Sequence, residues 1–394
     1  MPLTIHFLNV GHGDCTLIEH PDGALTMIDI NNVDQPDTLT LEEIAKVFPE
    51  SPTARPISGL NALAISQLFS PTESLLGSLA QSLPPPPPPS FLPFGFAPTA
   101  TDEIINSIFP SQRPSNTLLA GFAPPLASTL LTSAIHTQTS YAELKRRGYG
   151  VPLEDPMDFL RRRYPRRRLF RYIQSHPDLD HMRGLAALMA SEYRPVNFWD
   201  TDKIKVQDNL RSEDEADWNA YWSARLGFTE SRVVQLTAGA CGKFFNQDDF
   251  GNPGGHAIEI LSPTTDVART AAATEEWNDL SYVLRIWHAG RYVIFGADAG
   301  SAAWEVVHRH HGAGLKCDLL KASHHGRDSG YHQPAVKAME PVLTVVSVGS
   351  KPETDVSNKY RQYSDKVWST RWMGTISITI HDDGNMTYTS DRDP

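Results

Sequence analysis

Cysteine is scarce: the 394 residues hold three, Cys15, Cys241 and Cys317, an odd and widely spaced set. That excludes a disulfide framework and points to a reducing compartment. Positive charge is also short, with 35 Lys and Arg against 46 Asp and Glu and a net charge of −11. A broad electrostatic grip on nucleic acid is thereby disfavoured, because phosphate binding needs a concentrated positive surface, although local basic patches remain. Residues 1–6 lack a basic stretch leading into an apolar core, so no signal peptide is expected and a cytoplasmic protein is. Long apolar runs are missing too. Residues 117–135 come nearest, but Pro124, Pro125 and several Ser and Thr interrupt them, so no transmembrane segment is expected.

What is present is an ordinary globular composition, 40% hydrophobic and 21% charged, long enough for one large α/β domain or two. One stretch organises the rest. In Ser175-His176-Pro177-Asp178-Leu179-Asp180-His181 two imidazoles and two carboxylates fall within six residues. Residues 169–174 before it have strand composition, and after His181 the residues Leu185, Leu188 and Met189 recur at helical spacing. A strand-to-helix turn can aim side chains at i, i+2, i+4 and i+5 towards one point, whereas a helix holds only i and i+4 together. Carboxylate oxygens mixed with imidazole, with no thiolate nearby, suit Zn, Mn or Fe.

Along the chain, residues 5–10, 15–19 and 25–30 read as three strands, with Asp14 and Asp29 at their edges. Each carboxylate is read either as a turn cap or as an outer-sphere partner of a metal centre. Residues 34–150 read as a proline-rich insertion. Half of the chain's 30 prolines lie between Pro52 and Pro125, and only Arg55, Glu73, Asp102, Glu103 and Arg113 are charged between positions 51 and 140. Short amphipathic pieces at 73–83 and 101–109 read as helices joined by polyproline, making a lid, a loop or an arm that binds a protein partner. Asp155-Pro156-Met157-Asp158 opens a helix. Seven arginines follow, at 161–163, 166–168 and 171, as a solvated face or as a rim that contacts phosphate. Strands are expected again at 197–200, 257–261, 281–287, 291–295, 319–322, 342–348 and 375–380, with a final hairpin through Asp382-Asp383-Gly384. Gly296-Ala297-Asp298 places a carboxylate among small residues at a strand end, and Ser323-His324-His325-Gly326 places paired imidazoles after another.

These pieces resemble the metallo-β-lactamase fold, most closely the metallo-hydrolase domain of competence-type DNA-uptake proteins and their free-standing relatives. The resemblance rests on four elements in order: residues 7–14 with Asp29, the His-x-Asp-x-Asp-His form of the signature at 176–181, Gly296-Ala297-Asp298, and the Lys-x-x-His-His-Gly of residues 321–326. It departs from the family at Asp178, where many relatives have histidine, at His12, where glutamine is frequent, and at Arg183, where glycine is. The resemblance implies a four-layer αβ/βα sandwich of α/β (α+β) class spanning residues 1–394, with the insertion inside it. It implies two divalent metal ions, Zn foremost: His176 and Asp178 at one, Asp180, His181 and His325 at the other, and Asp298 bridging. His256, or Asn278 with Asp279, stands as the further ligand of the first ion. His324 is left to meet the substrate beside Asp180, with Asp14, Asp29 and Asn278 supporting the ligands. The reaction it implies is hydrolysis, through metal-bound hydroxide, of a phosphodiester in nucleic acid or a nucleotide. The alternatives are another ester, lactone or thioester, or a partner-binding protein with a relict metal site.

Overall fold

In a computed structural model, the structure describes residues 1–49, 140–207, 209–350 and 354–392. The chain divides into two units, 1–50 with 137–394 and 51–136. The helices expected at 73–83 and 101–109, the polyproline run and the apolar stretch at 117–135 lie outside the described residues. Among the described residues no helix is long and apolar enough to cross a membrane.

Two sheets build the larger unit. Strands β1 (Leu3–Phe7), β2 (Thr16–Glu19), β3 (Leu25–Ile28), β4 (Arg171–Ile173), β5 (Asn197–Asp200) and β6 (Arg232–Gln235) belong to the first. Next come β7 (Ile258–Ser262), β8 (Val283–His288), β9 (Arg291–Phe295), β10 (Leu319–Lys321), β11 (Leu343–Val346) and β12 (Lys366–Ser369), which form the second. The hairpin β13 (Ile376–Ile380) and β14 (Met386–Ser390) returns to the first. Among the described residues the first sheet has eight strands, ordered β14-β13-β1-β2-β3-β4-β5-β6, and the second six, ordered β12-β11-β10-β9-β8-β7.

Side-chain alternation along the strands sets the layers. Leu3, Ile5 and Phe7 of β1 pack with Ile376, Ile378 and Ile380 of β13 against Val293 and Phe295 of β9, forming the core between the sheets. Ile294, one residue out of step, packs instead with Leu320, Val346 and the helix residues Ala303, Trp304 and Val307 on the far side of the second sheet. On the outer side of the first sheet Tyr172 stacks on Phe198 with ring centroids 5.4 Å apart, and Phe198 meets Tyr221 of the helix Glu215–Arg225 at 6.4 Å. Helix, sheet, sheet, helix is the four-layer mixed α/β sandwich expected from the sequence. Strands β3 to β6 run parallel, as do β9 to β12, so each run gathers its strand ends at one edge.

Two expectations change in detail. The flanks of the segment 34–150 are built into the larger unit: Leu41 and Ile44 of the helix Thr38–Val47 pack against Leu144, Tyr149 and Val151, with Trp372 beside them. An apolar stripe at helical spacing, overshadowed by the neighbouring prolines, explains this. Five of the seven arginines of 161–171 meet groups of the protein. Arg161 pairs with Asp158 at 2.6 Å, Arg162 with Glu154 at 2.7 Å and Arg167 with Glu19 at 2.6 Å, while Arg168 donates to the Arg194 carbonyl at 2.6 Å. Arg171 is fully buried, donating to Thr26 Oγ1 and to the Phe244 carbonyl.

Candidate metal centre

The chain leaves β4 through Gln174 and Ser175 into the turn that carries His176, Asp178, Asp180 and His181, the last three residues of it being a single helical turn, Leu179–His181. Beyond it, Leu185, Leu188 and Met189 are buried on the helix Leu185–Ala190, which anchors the turn. Asp29 follows β3, Asp298 follows β9 and His325 follows β10, so parallel strand ends from both sheets deliver the site. Several of these positions hold backbone that side chains rarely adopt: φ is +56° at Asp29, +42° at Ala297, +50° at His324 and +53° at His325. Such conformations cost of order 1–3 kcal/mol each and persist where the surroundings dictate them. At Gly296 a Cβ would run into Ser323 Oγ, so only glycine lets β9 and the histidine turn approach this closely.

A chain of hydrogen bonds fixes the imidazoles. Asp29 Oδ2 accepts from His181 Nδ1 at 2.8 Å and from Ser175 Oγ at 2.6 Å. Having given its only proton to Asp29, the Ser175 hydroxyl accepts from His176 Nδ1 at 3.0 Å. His325 Nδ1 donates to the Ser347 carbonyl at 2.9 Å. In all three rings Nδ1 is the hydrogen-bonded nitrogen and Nε2 faces inward, the arrangement that orients metal-binding histidines. Those three Nε2 atoms are buried with no hydrogen-bond partner, as are Asp298 Oδ1 and Asp14 Oδ1. Buried polar atoms are rarely left unmatched, and a cation matches this donor set.

The distances group the donors. Candidate ligand atoms of His176, His181 and Asp298 lie within 4.8 Å of one another, as do those of Asp14, Asp298 and His325, of His12, Asp180 and His325, and of Asp14, Asp29 and His181. Asp298 Oδ2 stands 3.4 Å from both His181 Nε2 and His325 Nε2, between the two rings. His181 thus falls with His176, whereas the sequence placed it with Asp180 and His325. Burial alone would raise the Asp298 carboxyl, but His325 and His181 hold it well below the usual carboxylate range. Burial likewise opposes protonation of His325, yet Asp298, Asp180 and Asp14 push it up to about 10. His181 moves up too, because Asp298, Asp29 and Asp180 outweigh its burial. The carboxylates demand positive charge here, and protons or a metal ion can meet that demand.

Other expected residues stand differently. Asp178 is in none of these groupings: its Oδ1 accepts from Lys205 Nζ at 2.5 Å, and its Oδ2 lies 3.7 Å from His176 Nε2. His324 Nδ1 hydrogen-bonds Ser329 Oγ at 2.8 Å and its Nε2 lies 3.9 Å from Asp298, beside the centre. His256 lies elsewhere. Its ring stacks on His20 at 4.0 Å, and its nitrogens meet Arg171 Nη1 at 3.1 Å and Asp22 Oδ2 at 3.0 Å, which leaves nothing for a metal. Asp279 accepts from the Gly300 amide at 3.0 Å at the start of the helix Ser301–His311, and Asn278 is half-buried beside it in the short helical turn Trp277–Leu280. Asp14 forms a buried ion pair with Lys321. The sequence reading missed Ser175, Lys205 and His12, whose ring lies 4.7 Å from that of His325.

No family model matches this sequence, and no curated protein matches it. Among solved structures the chain is similar to the metallo-β-lactamase fold protein YhfI from Bacillus subtilis, with 9% identity over 98% of this chain and 100% of that one and a TM-score of 0.39. It is also similar to a mutant of the CmlA β-hydroxylase, with 10% identity over 95% of this chain and 53% of that one and a TM-score of 0.37. Both scores fall below one half, and the fold rests on the strand order and layers above.

Lys205 sets a testable condition on metal loading. Its ammonium occupies a carboxylate otherwise open to a cation beside His176, so Lys205→Ala is expected to tighten the weaker metal-binding step by roughly tenfold, the worth of one charge-assisted hydrogen bond. Competition titration with a chromophoric chelator measures it. Unchanged affinity would mean that the lysine does not compete with metal.

Proposed function

We propose that this chain is a metal-dependent hydrolase acting on a phosphodiester of nucleotide size. One observation carries the reading: the unpartnered Nε2 atoms of His176, His181 and His325 face Asp298, and Asp180 and His12, grouped with His325, line a cavity of about 1160 Å³. His176, His181 and Asp298 would hold one divalent ion, and Asp180, His325 and Asp298 a second, with Zn favoured by the donor set and Mn or Fe able to use it. When bound, such ions supply Lewis acidity at ester oxygens and a nucleophile near neutral pH.

The protein's own part is positional. Asp29 and Ser175 hold two imidazoles in one orientation, and Asp298 joins the halves of the site. Asp180 lines the cavity and presents its carboxylate where a substrate would meet the centre, with His324 Nε2 3.9 Å from Asp298. The cavity lining carries Asp34, Asp37, Asp180, Glu213, Asp214 and Asp217 against Arg183, Arg211 and Arg327. A polymer bringing many phosphates would be repelled by that balance, and Arg161, Arg162, Arg167 and Arg168 are paired within the protein ahead of β4. A small diester suits it better than a long nucleic acid.

The protein is expected to bind about two divalent ions per chain, read by elemental analysis. A panel of small phosphodiesters, oligonucleotides, lactones and thioesters then identifies the substrate. Less than about half an ion per chain after reconstitution with Zn or Mn would reject the reading and favour a partner-binding role. Turnover of lactones or thioesters alone would reject the phosphodiester.

A further inference from the structure

The cavity beside the centre holds three guanidinium groups, and two are already committed to carboxylates. Arg183 Nε lies 2.8 Å from Asp214, and Arg211 reaches Asp214 at 2.7 Å and Glu213 at 2.5 Å. Arg327 differs. Among the described residues it has no carboxylate within ion-pair distance; its Nη2 donates to His12 Nε2 at 3.2 Å, and its Nε is buried with no hydrogen-bond partner.

The backbone holds this side chain in place. The Arg327 amide donates to the His324 carbonyl at 2.9 Å, and the residue pairs with Asp355 across an isolated bridge, directly after the turn that presents His325. A fixed guanidinium with an unmatched buried donor, one ring away from His325 and lining the same cavity as Asp180, calls for an anionic oxygen brought by a ligand. Tetrahedral oxyanions fit the planar fork of arginine with two parallel hydrogen bonds, which a neutral lactone or thioester carbonyl cannot repay.

We propose that Arg327 receives the phosphate of the substrate, so that the site selects an anionic diester over neutral esters. The inference rests on the hydrolase reading for the reaction and on the geometry of Arg327 for binding. The probe is inorganic phosphate, titrated calorimetrically into metal-loaded protein of matched metal content. Arg327→Met is expected to weaken phosphate binding about 10- to 100-fold and to raise KM for a small phosphodiester by a similar factor. Arg327→Gln, which keeps donors but drops the charge, moves both in the same direction and carries the test if the methionine variant does not fold. Arg166→Glu, at the opposite end of β4, leaves phosphate affinity unchanged. If wild-type protein cleaves no phosphodiester while phosphate binding still depends on Arg327, the hydrolase reading falls and the anion site stands. If both Arg327 variants bind phosphate within about twofold of wild type at equal metal content, the inference is overturned, whatever the protein hydrolyses.

Discussion

Asp298→Ala is expected to reduce hydrolytic turnover by about three orders of magnitude while the protein stays folded. The magnitude follows from what a metal ion contributes, several kcal/mol of transition-state stabilisation, with each 1.36 kcal/mol worth about tenfold in rate. Asp298 is the residue on which both halves of the site depend, since its Oδ2 stands 3.4 Å from each of two inward-facing imidazole nitrogens and it belongs to two of the donor groupings. Without it, His181 and His325 also lose the carboxylate that most raises their proton affinity, and the centre loses its attraction for cations. Folding does not depend on it in the same way. The core between the sheets buries Ile5, Ile376, Ile378, Val293 and their neighbours at about 1.5–3 kcal/mol each, and the carboxylate takes no part in that packing. Turnover, circular dichroism and elemental analysis on the same preparation decide the matter. Wild-type turnover from a folded Asp298→Ala protein would remove this carboxylate from the mechanism, and loss of fold would make it a structural residue.

Why the sequence revealed the site as far as it did is a matter of distance along the chain. His176, Asp178, Asp180 and His181 occupy one turn, and His324 with His325 another, so their clustering is visible as spacing. Strand ends are visible as well, because β1, β9 and β13 alternate or run apolar and stop at Gly, Asp or Pro signals. Pairings across sheets are not. Lys205 reaches Asp178 from a loop after β5 with no motif around it, and nothing in the local sequence separates it from any surface lysine. His256 looked available because a histidine was wanted in that interval. Its real partners are His20 and Asp22, from the turn between β2 and β3, and Arg171 of β4, and only the register of β3 and β4 brings them together. The same register explains the arginines. A basic run ahead of a metal motif suggests a phosphate rim, but the intervening strand carries the chain from one edge of the sheet to the other. Ser175 was legible in principle, since a hydroxyl between a buried aspartate and a ligand histidine is a usual relay, though only the fold shows that Asp29 lies opposite.

Lys321→Met is expected to destabilise the metal-free protein by about 3–5 kcal/mol, more than any surface substitution in the chain. Lys321 ends β10 in the second sheet and Asp14 lies between β1 and β2 in the first, so their ion pair joins the two sheets directly beneath the metal centre. Their side chains are only 3% and 5% exposed. Removing the ammonium leaves a carboxylate with no water to solvate it, and that penalty, rather than the pair's own attraction, sets the cost. The double variant Lys321→Met with Asp14→Leu should therefore recover most of the loss, because two apolar side chains replace two charges in the same space. Metal changes the outcome in a defined direction. Asp14 shares groupings with Asp298 and His325 and with Asp29 and His181, so once freed from the lysine it becomes a candidate ligand. Added Zn should restore part of the stability of Lys321→Met and less of that of the double variant, whose Asp14 is gone. Denaturant midpoints for the wild type, both single variants and the double, each with chelator and with Zn, supply the comparison. A Lys321→Met protein within about 1 kcal/mol of wild type in chelator would show that Asp14 finds another partner when the lysine is absent, and that the sheets are joined at this edge by packing alone.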